Sequence, residues 1–272
     1  MNEPGQAASV TVTGLSPLQV LTGGSGPSLV WLHGEEGQRG WLPHHVRLAE
    51  RFSVWAPTLP GIGKSVLPEW VQGVRDMAKV LLAALDAGGI SRCILGGGSM
   101  GGWIAAEMAS MEPRRFTGLV LAGSQGTATG HLDTPDLFLM PYRRYLSFGY
   151  ADPASGAFRE MWEGELDDEA VTMDLEVMEL AALLGFKPYM HDRSLLPALA
   201  RYTNPARLVW GEKDDITPAP VAQLFLKALP QGELASIAGG GHYVHLEKPA
   251  EFADAVLDFG AGLKHVPPAL LR

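Results

Sequence analysis

Residues 97–101 read Gly-Gly-Ser-Met-Gly, a Gly-x-Ser-x-Gly spacing with one serine at its centre. The run before it, Arg92-Cys93-Ile94-Leu95-Gly96, is apolar in the manner of a buried parallel strand, and a helix-like segment from Trp103 to Ser110 follows. A serine between the two sits on a sharp strand-to-helix turn that pushes its hydroxyl out at the carboxyl end of a sheet. Flanking glycines relieve the crowding of such a turn. Because helix start and serine coincide, the first helical N–H groups favour negative charge beside the serine, where an oxyanion would form.

The same stretch, 96–101, also satisfies Gly-x-Gly-x-x-Gly, the dinucleotide fingerprint. That reading expects an acidic residue at the end of the next strand. The next strand-like run, Gly118–Gly123, is followed by Ser124, and no carboxylate appears before Asp133. Nucleophilic chemistry is therefore the favoured reading, and it needs a base within hydrogen-bond reach of the serine. His242 is the candidate, since it follows Gly239-Gly240-Gly241 at the carboxyl end of a strand. His245 competes, but it falls at the start of the last helix and is expected to face outward. His33, His44, His45, His131, His191 and His265 have no comparable setting.

A catalytic histidine needs a carboxylate to fix its tautomer and stabilise the imidazolium. Gly211-Glu212-Lys213-Asp214-Asp215 supplies one directly after a strand: Asp214 first, Asp215 next, the alternative being that either caps the following helix. An oxyanion hole needs two preorganised N–H groups. Met100 N–H, one residue past the serine, is one, and Glu35 N–H, in the loop after His33-Gly34, is the other. The Glu35 side chain either faces the site, where it would disfavour anionic substrates, or points to solvent.

These residues require strands that end at one edge. Ser9–Thr13 and Leu18–Thr22 read as an antiparallel pair behind a loose tail over residues 1–8. Strands follow at Ser28–Leu32, Ser53–Pro57, Cys93–Gly98, Gly118–Gly123, Ala206–Gly211 and Leu234–Ala238. Between them lie helical segments at Trp41–Phe52, Trp70–Leu85, Trp103–Ser110, Ala219–Leu229 and Pro249–Leu263, before an irregular tail with Pro267-Pro268. This alternation predicts an α/β fold: a mostly parallel sheet of about eight strands with helices on both faces. The alternation breaks after the sixth strand. Residues 124–200 hold helical patches, four of the six tyrosines and five of the ten methionines. They are expected to form a helical cap over the carboxyl edge, with residues 1–123 and 201–272 as the core domain. Methionine and tyrosine make an adaptable apolar lining, so Met140, Tyr145, Trp162 and Met178, with His33, Gly34 and Tyr243 from the core, are the expected substrate pocket.

Composition sets limits. The chain has 272 residues, 46% hydrophobic and 19% charged, enough for a full core. The net charge of −9 argues against nucleic acid or an anionic membrane as partner. Residues 124–200 carry 13 acidic against 5 basic residues, so almost all of that charge lies in the expected cap. No apolar run reaches the roughly 18–20 residues of a membrane span. No signal peptide is expected, and the single cysteine, Cys93, excludes an internal disulfide, which makes the cytoplasm the default location.

Ser99, Asp214 and His242 in that chain order resemble the α/β-hydrolase superfamily, in its single-cap branch of esterases, lactonases and meta-cleavage-product hydrolases. The resemblance extends to the His33-Gly34 loop, Pro60-Gly61-Ile62-Gly63-Lys64-Ser65, Pro218, Gly241 and Glu247 with Pro249. One departure is Thr58, where the family usually has aspartate before the Leu-Pro-Gly turn. Gly63-Lys64-Ser65 mimics a phosphate loop, but Thr58 stands where its first glycine belongs, and that motif is rejected.

The resemblance implies a serine hydrolase acting on an apolar ester or lactone through an acyl-enzyme, without metal or organic cofactor, as a monomer or homodimer, and the acidic cap adds the expectation that the substrate is neutral rather than anionic. The alternative is carbon–carbon bond hydrolysis of a vinylogous diketone. Members of that branch tend to carry Ser-Gly-Pro-Gly after His-Gly and a tryptophan after the catalytic histidine, where this chain has Glu35-Glu36-Gly37-Gln38 and Tyr243. Dehalogenases and epoxide hydrolases of the superfamily use aspartate as nucleophile, which Ser99 replaces. A non-enzymatic receptor on the same fold is the third possibility.

Overall fold

The computed structural model describes residues 5–11, 17–128, 132–164 and 167–263. Strand and helix alternate as β1 (Gln6–Val10), β2 (Leu18–Gly23), β3 (Ser28–Leu32), α1 (Pro43–Leu48), β4 (Ser53–Pro57), α2 (Val74–Ala87), β5 (Cys93–Gly98), α3 (Ser99–Met111) and β6 (Phe116–Ala122). A 3-10 turn at Leu137–Leu139 and the helices α4 (Tyr142–Phe148), α5 (Gly156–Trp162), α6 (Asp168–Gly185) and α7 (Leu195–Leu199) come next. The chain then returns through β7 (Ala206–Gly211), α8 (Ala219–Ala228), β8 (Gly232–Ile237), α9 (Val244–Glu247) and α10 (Pro249–Gly262).

The eight strands form one sheet in the order β1-β2-β4-β3-β5-β6-β7-β8. β1 and β2 pair antiparallel, as do β2 and β4, while every other pairing is parallel. β5 therefore stands between β3 and β6, and its end is the point from which the chain can reach both neighbours. Alternate residues of β3 face opposite sides: Leu29 and Trp31 pack with Phe52, Phe252 and Val256, and Val30 and Leu32 with Leu81, Met77 and Ile104. Burying each such side chain contributes about 1.5–3 kcal/mol. This two-sided burial is why the inner strands are apolar throughout rather than alternating.

Boundaries differ from the sequence expectation where local chemistry intervenes. β1 begins at Gln6 rather than Ser9, because Gln6 to Val10 find partners along Thr22 to Leu18; Val12 and Thr13 lie outside the described residues. α1 starts at Pro43, whose missing N–H suits only the first helical turn, not at Trp41. α2 starts at Val74, leaving Trp70 half-exposed in the preceding turn. His131, His265 and Pro267-Pro268 lie outside the described residues.

The helices between β6 and β7 interrupt the alternation where expected. Their entry and exit are joined: Gly126 and His191 form a parallel bridge, with Gly126 N–H donating to the Met190 carbonyl at 3.0 Å and Asp192 N–H to the Gly126 carbonyl at 3.1 Å. α7 lies beyond this bridge and packs against α3 and α8, so the last residues of the expected cap share the core's own packing. No helix among the described residues is long and apolar enough to cross a membrane.

Candidate active site

β5 runs into α3 without an intervening loop residue. Ser99, at the junction, takes φ +50°, a left-handed conformation that a non-glycine residue adopts only when its surroundings enforce it. The enforcing contact is close packing: a Cβ on Gly101 would stand 2.3 Å from the His33 carbonyl oxygen and 2.4 Å from that of Leu32. Only glycine lets the end of β3 lie against the first turn of α3.

Two turns bring the other groups to Ser99. The turn after β7 and the turn after β8 are bonded together, Glu212 N–H donating to the Ile237 carbonyl at 3.1 Å and Lys213 N–H to the Gly240 carbonyl at 2.9 Å. Gly211 makes room for this, since a Cβ there would meet the Gly241 carbonyl oxygen at 2.2 Å. Ser99 Oγ consequently lies 2.6 Å from His242 Nε2, and His242 Nδ1 lies 3.0 Å from each Asp214 oxygen. Asp214 Oδ1 also accepts N–H bonds from Ile216 at 3.0 Å and Thr217 at 2.7 Å, and Oδ2 accepts the Thr217 hydroxyl at 2.9 Å. With Asp214 facing Nδ1, the neutral imidazole keeps its proton there and presents the Nε2 lone pair to the serine. Burial disfavours the imidazolium, but the charge and hydrogen bond of Asp214, joined by the charges of Glu35 and Glu36, outweigh it, and His242 is raised above the ordinary imidazole value. The arrangement fits a Ser-His-Asp triad. Asp215 is not part of it.

Glu35 faces inward. Its side chain is fully buried, and Oε2 accepts the Met100 N–H at 3.2 Å. Burial pushes this carboxyl above the ordinary carboxylate range, opposed in part by His242 and Ser99. The neighbouring Glu36 takes a different role. Its Oε1 accepts Gly34 N–H at 2.9 Å and pairs with His245 Nε2 at 3.1 Å. Burial favours neutral Glu36, but the bond to His245 and its charge pull the carboxyl below the usual value. His245 is thus buried, not outward-facing as its position suggested, because the short α9 turns it back under the loop. Two further histidines lie beside it: the His44 ring is centred 5.3 Å from that of His245 and 4.0 Å from that of His45.

A model of the alpha/beta hydrolase family matches residues 29–255. The chain belongs to that family. It is 31% identical over 252 residues to the dihydrolipoyllysine-residue acetyltransferase component of the acetoin cleaving system of Pseudomonas putida, covering 88% of this chain and 65% of that protein, so it spans just under two thirds of that relative's length. It is 30% identical to the 2-hydroxy-6-oxononadienedioate/2-hydroxy-6-oxononatrienedioate hydrolase of Burkholderia vietnamiensis, covering 88% of each. In structure it resembles a bacterial membrane phospholipase A with a TM-score of 0.81 at 25% identity, over 97% of this chain and 88% of the other.

In this chain the loop after β3 is held from several directions. His33 Nδ1 donates to the Gly34 carbonyl at 2.9 Å and Nε2 accepts Leu59 N–H at 3.0 Å, so both ring nitrogens serve the main chain rather than a substrate. Tyr142 donates its hydroxyl to the Glu35 carbonyl. Arg39 donates to the Glu36 carbonyl at 2.7 Å, reaches Asp174 of α6 at 2.6 Å and lies 4.7 Å over the Trp162 ring. Glu247 ties the histidine loop to the insertion, accepting Gly241 N–H at 2.7 Å and Ala151 N–H at 3.0 Å.

The remaining expected pocket residues are distributed unevenly. Tyr145 and Tyr243 are fully buried and near enough for Glu35 to help raise both phenols, burial being the larger cause. Trp162 is buried with its Nε1–H on Tyr150 Oη at 2.9 Å. Met140 and Met178 are half-buried against the larger core cluster. Thr217, which meets both Asp214 and His242 Nδ1, is a residue of the candidate site that the sequence reading missed. Its place three residues after Asp214 is the spacing of a side-chain turn, and that was the available signal. Glu36 had no such signal.

Proposed function

We propose that this chain is a serine hydrolase cleaving a neutral carboxylic ester or lactone with a small-to-medium apolar acyl part. The observation that carries the reading is the 2.6 Å approach of Ser99 Oγ to His242 Nε2, backed by Asp214 on the other nitrogen. His242 takes the Ser99 proton as Oγ attacks the carbonyl carbon. The negative oxygen of the tetrahedral intermediate rests on the N–H groups of Met100 and Glu35. His242 then protonates the departing alkoxide, leaving an acyl-enzyme. Water, deprotonated by His242, attacks the acyl carbon, and the serine leaves with that proton.

Ser99 and His242 are each 1% exposed, so substrate entry requires the covering helices to move. Residues 124–200 serve as that cap on the core of residues 1–123 and 201–272, and the pocket is lined by Tyr145, Tyr243, Trp162, Met140, Met178 and Gly34. The acidic cap and the inward Glu35 favour neutral over anionic substrates.

Carbon–carbon bond hydrolysis is the second reading, favoured by likeness to the Burkholderia hydrolase. A panel of esters, lactones and dienoic diketones, run beside Ser99→Ala, separates the two. Multiple turnover of neutral esters, lost in Ser99→Ala, is the expected result. Turnover confined to diketones would establish the second reading, and single-turnover labelling alone a binding protein.

A further inference from the structure

The Glu35 carboxyl stands where a substrate's carbonyl oxygen should go. Its Oε2 takes the Met100 N–H, the donor that follows the serine. Its Oε1 is buried and has no hydrogen-bond partner among the described residues. A buried carboxyl oxygen without a partner is costly, and the cost is removed by any group that can bond to it. Among the described residues Ser99 leans on the carboxyl as a whole but no side chain bonds to Oε1, and a substrate group placed beside it can.

We propose that Glu35 is a specificity-determining residue that selects acyl groups bearing a hydroxyl next to the scissile carbonyl. The proposal rests on the ester-hydrolase reading above. When a carbonyl oxygen takes the Met100 N–H, the Glu35 carboxyl has to withdraw. It cannot go far. Its backbone is fixed by the Tyr142 bond to its own carbonyl, by the Gly37 N–H to Gly34 carbonyl bond of 3.2 Å, and by Arg39, which holds Glu36 and Asp174. A two-carbon arm on a fixed backbone keeps the carboxyl beside the reacting carbonyl, within reach of a substituent on the adjacent carbon.

The chemistry of that substituent follows from the protonation of Glu35. With Oε2 accepting an amide N–H, any proton on the carboxyl belongs on Oε1. Burial, opposed in part by His242, favours that neutral form. A hydroxyl suits either state, since it accepts from a carboxylic acid and donates to a carboxylate. An ammonium suits only the carboxylate, and an alkyl group suits neither. Withdrawal from Met100 is thus compensated for a 2-hydroxy ester and uncompensated for a plain one.

The test compares ethyl 2-hydroxypropanoate, ethyl 2-methoxypropanoate and ethyl propanoate on wild type, Glu35→Ala and Glu35→Gln. The methoxy ester keeps the inductive pull of oxygen but lacks the O–H. The expected wild-type kcat/KM for the hydroxy ester exceeds both others by at least about tenfold, the scale of one buried hydrogen bond. In Glu35→Ala the propanoate rate rises, the hydroxy-ester rate falls and the preference disappears; Glu35→Gln keeps part of it. A preference unchanged in Glu35→Ala, or an equal rise for all three esters, overturns the proposal. Should Glu35→Ala not fold, the Glu35→Gln ratios decide in the same way. If wild type cleaves none of the three, the proposal falls, and labelling of Ser99 by a fluorophosphonate decides the parent reading: labelled serine keeps it, unmodified serine removes it too.

Discussion

Thr217 donates its hydroxyl to Asp214 Oδ2 at 2.9 Å while its oxygen stands 3.1 Å from His242 Nδ1. It is a third anchor on the carboxylate, after the two main-chain N–H groups, and it fixes the angle at which Asp214 meets the imidazole. In Thr217→Val the shape survives and the O–H is lost. The expected outcome is a kcat lower by about tenfold with KM nearly unchanged, since a hydrogen bond to a charged group is worth on the order of 1.5 kcal/mol or more. Steady-state kinetics on one ester, with a thermal melt as control, measure this; a raised KM at constant kcat would contradict it.

Activity should climb with pH as His242 gives up its proton. Burial lowers the imidazole's affinity for it, and Asp214 with Glu35 and Glu36 more than offsets this, so the midpoint of the rise in kcat/KM lies above 6.5. A profile from pH 5 to 9 checks the value. A flat profile, or a midpoint below 6, would remove His242 as base.

Acid should weaken the fold through the histidines beneath the loop. Burial is the main cause that lowers His44 well below its ordinary value and His45 to about 3. Between pH 6.5 and about 3 the unfolded chain therefore binds more protons at these sites than the folded one. Their stabilisation is complete above pH 6.5 and declines as pH falls. His45 alone implies a loss on the order of 2 kcal/mol at pH 5. Urea midpoints at pH 7 and pH 5 read this directly, and equal midpoints would show that the unfolded chain gains nothing from charging them.

Gly101→Ala tests the elbow. Its new Cβ would press at under 2.5 Å on the carbonyl oxygens of Leu32, the last residue of β3, and His33 just past it. Main chain on both sides leaves little room to relax, so a destabilisation of about 3 kcal/mol or failure to accumulate soluble protein is expected. A melting temperature equal to wild type would mean that β3 and α3 can separate freely.

The strands, the elbow, His242 and Asp214 were legible because short-range patterns encode them: apolar runs, glycines at a sharp turn, polar residues just past strand ends. The direction of a side chain in a loop has no such code. Glu35 and Glu36 are adjacent acids in the same chemical context, yet one meets Met100 and the other His245, a residue 209 positions away. His245 looked exposed for the same reason: the four-residue α9 gives too little periodicity to show which way it faces. The pairing of Arg39 with Asp174 across 135 residues was equally invisible.

The bridge between Gly126 and His191 stitches the two ends of the insertion together just outside the sheet. Gln125, immediately before it, donates its N–H to the Ser99 carbonyl at 3.0 Å, so the stitch is moored to the nucleophile's own backbone. The insertion therefore leaves and returns through one closed seam, while Tyr142, Asp174 and Ala151 reach from inside it to the loops that carry Glu35 and His242. A change in the length of the insertion would spare the seam and be felt at those three contacts instead.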